Sequence, residues 1–174
     1  MKLGIISDTH DKPAAILQAL DIFQRQAVDL VVHCGDWTRP STAAYFADQA
    51  LMRSLPTRGV LGNNDTDVAG FLALNSTRQD FSLVEGVLRF MAAGKRVVAY
   101  HGHHKPTLRS VLAEDCEVLC LGHSHKPRYD RIDSKIIVNP GSTAFAIPRS
   151  REWKASVAIY DSDSHEVQFE YFAV

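Results

Sequence analysis

The chain has 174 residues, 45% of them hydrophobic, and its 19 Lys and Arg against 20 Asp and Glu give a formal net charge of −1. That length suits one domain, residues 1–174, with a substantial core, and the near-neutral charge excludes a broad electrostatic surface for nucleic acid. No run of about 18 apolar residues is present, so no membrane span is expected.

The first strand runs from about Lys2 to Ser7. A helix opens near Asp11-Lys12-Pro13, where Pro suits the first turn, and Ile16, Leu20, Phe23 and Ala27 recur at helical spacing as its buried stripe. Leu30 to His33 forms the second strand. Pro40 to Ser54 forms a second helix, with Tyr45, Leu51, Met52 and Leu55 as candidate core residues, and Thr57 to Leu61 a short third strand. This βαβαβ opening implies parallel strands with right-handed crossovers. Phe81-Ser82-Leu83-Val84, Val87 to Phe90 and Arg96 to Tyr100 then read as a strand meander, with Glu85-Gly86 and Ala93-Gly94 as turn signals. A short helix covers Thr107 to Glu114 and a buried strand Glu117 to Leu121. Three further strands are expected at Ile136 to Asn139, Ala155 to Tyr160 and Glu166 to Phe172, the last alternating Val167, Phe169 and Tyr171 with polar residues. A parallel first half and an antiparallel-looking second half predict an α/β protein, a four-layer αββα sandwich of two mixed sheets face to face with helices outside. The apolar stretch after Met1-Lys2 is too short for a secretory signal. The three cysteines, Cys34, Cys116 and Cys120, are too sparse for a disulfide framework, so a cytoplasmic location is expected.

Polar clusters follow nearly every apolar run. Asp8-Thr9-His10 comes after the first strand, Gly35-Asp36 after the second and Gly62-Asn63-Asn64-Asp65 after the third. His101-Gly102-His103 and Gly122-His123-Ser124-His125 follow later strands. Ligands in open α/β sheets bind outside the carboxyl ends of strands, so residues scattered over the chain can meet at one edge. Each cluster alone reads as a loop, a helix cap or a turn. Their joint occurrence, in order and each after a strand, reverses that weighting. The candidate ligands are Asp8, His10, Asp36, Asn63, His101, His123 and His125. Seven N and O donors exceed one tetrahedral zinc site and suit two metals with water completing each shell. The absence of thiolate and the mix of imidazole and carboxylate favour Mn²⁺, with Fe, Zn or Ni as alternatives. Two cations about 3.5–4 Å apart clamp the attacking and leaving oxygens of a phosphoryl displacement.

From Asp8-Thr9-His10 to Asn139-Pro140-Gly141-Ser142 the chain resembles the calcineurin-like metallophosphoesterases, and within them the small YfcE-like phosphodiesterases of bacteria and archaea. The resemblance implies that Asp8, His10, Asp36 and His125 hold one metal. It implies that Asp36 bridges to a second, held also by Asn63, His101 and His123. The family's reaction is attack of a metal-activated hydroxide on a phosphate ester, which makes Asp36 and Asn63 part of the catalytic set. Asn139-Pro140-Gly141-Ser142 is then expected close to the site.

One departure stands out. Many members carry Gly-Asn-His-(Asp/Glu) at the third motif, and that His is held to protonate the leaving group or steady the phosphate. Here the position is Asn64. General acid catalysis contributes about 10²–10⁴-fold, so a modest catalyst preferring good leaving groups is expected. His103 is the candidate for a replacement acid or phosphate contact, weighed against a loop residue or a partner of a ligand. Trp37 and Thr38 are candidates for lining the mouth or for packing, and Arg149 and Arg151 for phosphate contact or plain surface. Cys34 is read as a small core residue. His33, His104, Lys105 and His165 are read as non-ligands.

The expected function is therefore a metal-dependent phosphodiesterase for small phosphate esters or nucleotides, compatible with a homo-oligomer. The alternatives are a phosphomonoesterase and a non-catalytic scaffold like the retromer subunit of this fold.

Overall fold

The computed structural model describes residues 1–144, 147–149 and 152–173, with backbone alone for 147–149 and 152–153. In chain order the elements are β1 (Lys2–Ile6), α1 (Pro13–Arg25), β2 (Leu30–His33), α2 (Pro40–Leu51), β3 (Thr57–Val60), α3 (Val68–Ala73) and β4 (Phe81–Val84). There follow β5 (Leu88–Ala92), β6 (Lys95–Tyr100), α4 (Lys105–Ala113), β7 (Val118–Leu121), β8 (Arg128–Ile132), β9 (Lys135–Asn139), β10 (Ile147–Arg149), β11 (Glu152–Asp161) and β12 (Glu166–Phe172). Proline stands in the first turn of α1, α2 and α4, where its missing N–H costs nothing.

One sheet runs β10-β11-β1-β2-β3-β4, with β12 also paired to β11; the other runs β5-β6-β7-β9-β8. Both are mixed. β1 to β4 are parallel while β11 joins β1 antiparallel, and β6, β7 and β9 are parallel between antiparallel edges. Three apolar layers result. Ile6, Val31, Phe23 and Phe46 fill the layer between the first sheet and its helices α1 to α3. Leu3, Ile5, Val32, Val97, Val118 and Val138 fill the layer between the sheets. Val98, Leu119, Ile137 and Val111 fill a smaller layer under α4. Central strands buried on both faces read as continuous apolar runs, which is why β1, β2 and β7 are conspicuous in the sequence.

The αββα architecture is the expected one, with four local corrections. The meander does not form, because β4 pairs parallel with β3 while β5 and β6 make a hairpin in the other sheet. Glu85-Gly86 does turn the chain, but a turn does not say which sheet the next strand joins. The second half is not antiparallel as a block either: β7 and β9 extend a parallel core, and β11 and β12 return to the first sheet. α2 ends at Leu51, leaving Leu51 and Met52 exposed and only Leu55 and part of Tyr45 in the core. Ala27 lies past the end of α1 and is likewise exposed. α3, β8 and β10 lack strong periodicity and are not legible in the sequence. Cys34, Cys116 and Cys120 are buried and free, and among the described residues no helix is long and apolar enough to cross a membrane.

Candidate metal centre

Five of the seven candidate ligands sit in left-handed backbone. Asp8, His10, Asp36, His123 and His125 have φ of 57°, 38°, 62°, 66° and 56°. That conformation costs a non-glycine residue about 1 kcal/mol or more, so surrounding contacts must enforce it. Asp8 N donates to Gly35 O (2.9 Å) and His10 N to Asp36 O (3.2 Å), tying the first loop to the second. Ser142 Oγ donates to Asp8 O (3.0 Å), and Asn139 Nδ2 to Gly122 O (2.6 Å). The 139–142 turn therefore staples the loop after β1 and the loop after β7. Gly62 and Gly122 let these loops close. A Cβ at Gly62 would stand 2.6 Å from Asp36 N, and one at Gly122 would stand 2.9 Å from Cys34 O.

Asp8, His10, Asp36 and His125 offer ligand atoms all within 4.8 Å of one another. His125 Nε2 lies 3.0 Å from Asp8 Oδ1; His10 Nε2 lies 3.7 Å from Asp8 Oδ1 and 3.6 Å from Asp36 Oδ2. The other oxygen of Asp36, Oδ1, faces His101 Nε2 at 3.3 Å, and His101 Nε2 meets Asn63 Oδ1 at 3.0 Å. One carboxylate thus separates two groups of donors, with His101 and Asn63 on the side away from His10. His123 stands at the rim, its ring centroid 5.1 Å from that of His101, and its backbone N donates to Asp8 Oδ2 (3.2 Å).

The donor set fits a divalent cation. His101 Nδ1 donates to Cys34 O (2.8 Å), leaving Nε2 to face two oxygens. Electron pairs this close need a proton or a metal between them. Asp8 and Asp36 are buried, and among the described residues neither is paired with Lys or Arg. Burial opposes ionisation of Asp8, but contacts from His10, His125 and Ser7 hold its carboxyl well below the usual range. Asp36 is lowered against its burial by His101 and by Asn64. Burial presses His101 down, yet Asp36 and Asp8 carry it above the ordinary histidine value; Asp8 raises His125 in the same way.

Asp65, buried and read in the sequence only as part of a turn, clamps two ligand loops. Its carboxylate accepts from Asp36 N (2.9 Å), Gly62 N (2.7 Å) and Thr38 N (2.7 Å). Burial and the charge of Asp36 push its carboxyl up, against the lowering by those backbone donors. A carboxylate closing a Gly-Asn turn directly after a buried strand is the signal that could have found it. His33 makes a second tie. Its Nδ1 accepts from Gly35 N (3.1 Å), so Nε2 carries the proton that reaches Thr9 Oγ1 (3.2 Å). Complete burial keeps it neutral, and it is not a ligand. Asn64, in place of the family's His, donates Nδ2 to Asp36 Oδ2 (2.7 Å) and N to Asp36 Oδ1 (3.0 Å).

The structure also sorts the peripheral candidates. Trp37 does not line the mouth: it is fully buried, stacked on His33 at 3.4 Å, with Nε1 donating to Val60 O (3.0 Å). Thr38 is at the edge of the site, its Oγ1 3.4 Å from His10 Nδ1. His103 is exposed, with ring centroids 5.5 Å from His101 and 6.4 Å from His123. Burial, then His101 and His123, lower its pKa. His104 contacts Thr107 and His165 contacts Tyr160, away from the cluster. Arg151 and the side chain of Arg149 lie outside the described residues.

The domain model of the calcineurin-like phosphoesterase superfamily matches residues 1–165. The chain belongs to this superfamily. Among curated relatives it is 26% identical over 142 residues to phosphodiesterase MJ0936 of Methanocaldococcus jannaschii, covering 81% of this chain and 83% of that protein. Its fold matches a structurally characterised archaeal phosphodiesterase with a TM-score of 0.82 at 23% identity, covering 99% of this chain and 100% of that one. YfcE, a phosphoesterase from E. coli, matches at 0.67 and 20%, each chain covered fully. Zinc-complexed Vps29 of Entamoeba histolytica matches at 0.64 and 18%, covering 99% and 98%. The chain is thus a calcineurin-like phosphoesterase by its family model, shares the fold of these small phosphoesterases, and carries a His and Asp cluster that could hold a divalent metal ion.

Proposed function

We propose that the protein is a metal-dependent phosphodiesterase for small phosphate esters, nucleotides among them, working in a reducing cytoplasm. One cation is held by Asp8, His10, Asp36 and His125, and a second by Asp36, Asn63, His101 and His123, with Mn²⁺ as the preferred ion. The observation that carries this reading is Asp36, whose two oxygens face His10 on one side and His101 on the other. When bound, such cations supply a water acidic enough to act as nucleophile at neutral pH, and positive charge against the phosphoryl oxygens.

The chain's own residues do the rest. Cys34 O fixes the tautomer of His101, so that Nε2 is the ligating atom. Asn63 turns its carbonyl oxygen inward beside it. Asp65 and the 139–142 turn hold the loops against their backbone strain. His103 stands at the rim beside His101 and His123, placed for a hydrogen bond to a phosphoryl oxygen.

The departure at Asn64 supports good leaving groups as the preferred substrates. Asn64→His is expected to raise kcat on alkyl phosphodiesters at least tenfold, toward the ~10²–10⁴-fold range of general acid catalysis, and to change nitrophenyl esters little. Measuring both series on parent and variant checks this; an equal or absent rise removes the missing acid as the explanation.

A scaffold of this fold is the second reading, since the chain is also similar to Vps29. The complete donor set, five of its seven members in left-handed backbone, favours catalysis, because strain at those five donors serves no interaction surface. Hydrolysis of a nitrophenyl phosphodiester by metal-stripped protein, with and without Mn²⁺, separates the readings; a nitrophenyl phosphomonoester run alongside tests monoesterase activity.

A further inference from the structure

A cavity of about 440 Å³ adjoins the metal centre on the outer face of the second sheet, between α4 and the β8–β9 hairpin. One side is aliphatic, with Leu108 and Leu112 of α4, Leu121 at the end of β7, Ile132 of β8 and Ile137 of β9, while Arg128, Asp130 and Arg131 of β8 add a charged edge. Its inner end is made by Gly102 and His123, from the two loops that deliver His101 and His123. The register fixes its direction. Arg128 lies opposite Asn139, at the end of β9 beside the site, and Ile132 opposite Lys135, at the far end. Four residues at about 3.3 Å each make the channel about 13 Å long. At the far end Leu112 and Ile132 are 41% and 57% exposed, large apolar side chains left open to solvent.

We propose that this cavity is a substrate subsite, and that it takes an aliphatic arm of the phosphodiester; the inference rests on the phosphodiesterase reading above. A phosphorus held among the candidate ligands sets one ester substituent at the inner end, next to His123. No Phe, Tyr or Trp lines the walls, and the one imidazole, His123, stands at the inner end among the candidate ligands, so the outer stretch gives a nucleobase no ring to stack on while its leucines and isoleucines cover a hydrocarbon chain. Arg128, paired with Asp130 at 2.5 Å, keeps a polar edge beside the entrance, where the charged phosphodiester lies.

The test is a series of nitrophenyl alkyl phosphodiesters, from methyl to octyl, with a constant leaving group and Mn²⁺ supplied. Each added methylene is expected to raise kcat/KM about two- to fourfold until the channel is full, since burying one stabilises by about 0.8 kcal/mol. Leu112→Asp and Ile132→Asp, at exposed positions the fold tolerates, should flatten the series to within about twofold. Calorimetric binding of inert dialkyl phosphates of the same lengths gives a readout apart from turnover and should show the same slope and the same loss. Hydrolysis of the methyl ester with no dependence on chain length in either measurement overturns the subsite and leaves the phosphodiesterase reading standing. Chain-length-dependent binding without hydrolysis of any ester supports the subsite and overturns the activity. Preference for a nitrophenyl nucleoside diester over the octyl ester also overturns the aliphatic assignment.

Discussion

Asp36→Asn is expected to abolish both metal binding and diester hydrolysis while leaving a folded protein. The carboxylate faces His10 Nε2 at 3.6 Å through one oxygen and His101 Nε2 at 3.3 Å through the other. An amide of the same shape offers one neutral oxygen where two charged ones stood, so neither group of donors retains its shared anion. The backbone ties survive, because His10 N donates to the main-chain oxygen of Asp36 and Asp65 accepts from its N–H. Loss of a charge-stabilising element of this kind costs roughly 10³-fold in kcat, on the scale of removing an oxyanion-hole donor. Calorimetric titration with Mn²⁺, kcat/KM on a nitrophenyl diester and a thermal melt measure the three parts. A variant that binds two Mn²⁺ and turns over within tenfold of the parent removes Asp36 from the centre of the account.

Asp65→Ala is expected to have the largest effect on stability of any single change near the site. Three backbone N–H groups, from Asp36, Thr38 and Gly62, lose their acceptor together. At about 1 kcal/mol or more for each donor left unpaired, the loss is about 3 kcal/mol. For a chain of this size that lowers Tm by about 6–12 °C. Metal affinity should fall as well, because Asp36 and Thr38 occupy left-handed backbone, with φ of 62° and 82°, that the clamp enforces. Asp65→Asn separates charge and acceptors from volume. It fills the same space with one acceptor oxygen in place of two, so it should recover only part of the loss. Full recovery by Asn would mean that space, not the acceptor set, is what Asp65 supplies.

The layered fold was legible where strands are buried on both faces, because runs such as Leu30-Val31-Val32 and Val118-Leu119-Cys120 have no other explanation at that length. It was not legible where partner choice is tertiary. β4 and β5 flank one turn yet join different sheets, and β8 is an exposed edge strand without an apolar pattern. The candidate ligands were legible as residue types at strand ends, and the structure gathers six of them tightly, with His123 at the rim. The supports were not. Asp65 and His33 act through backbone N–H groups and a hydroxyl brought in from other loops; the Gly-Asn turn hints at Asp65, but its partners Asp36 and Thr38 are contributed from elsewhere in the chain, and nothing local marks His33. Trp37 shows the converse: of its two readings, mouth and packing, the packing one holds, since a residue next to a ligand in sequence turns inward to the helix layer.

The most direct test is hydrolysis of a nitrophenyl phosphodiester by metal-stripped protein as Mn²⁺ is added back, with bound metal counted at each point. The account predicts no turnover without metal and a rise that saturates as the second Mn²⁺ per chain binds. A protein that binds Mn²⁺ at these residues yet stays inactive, or that binds none, would contradict it and return the fold to a scaffold.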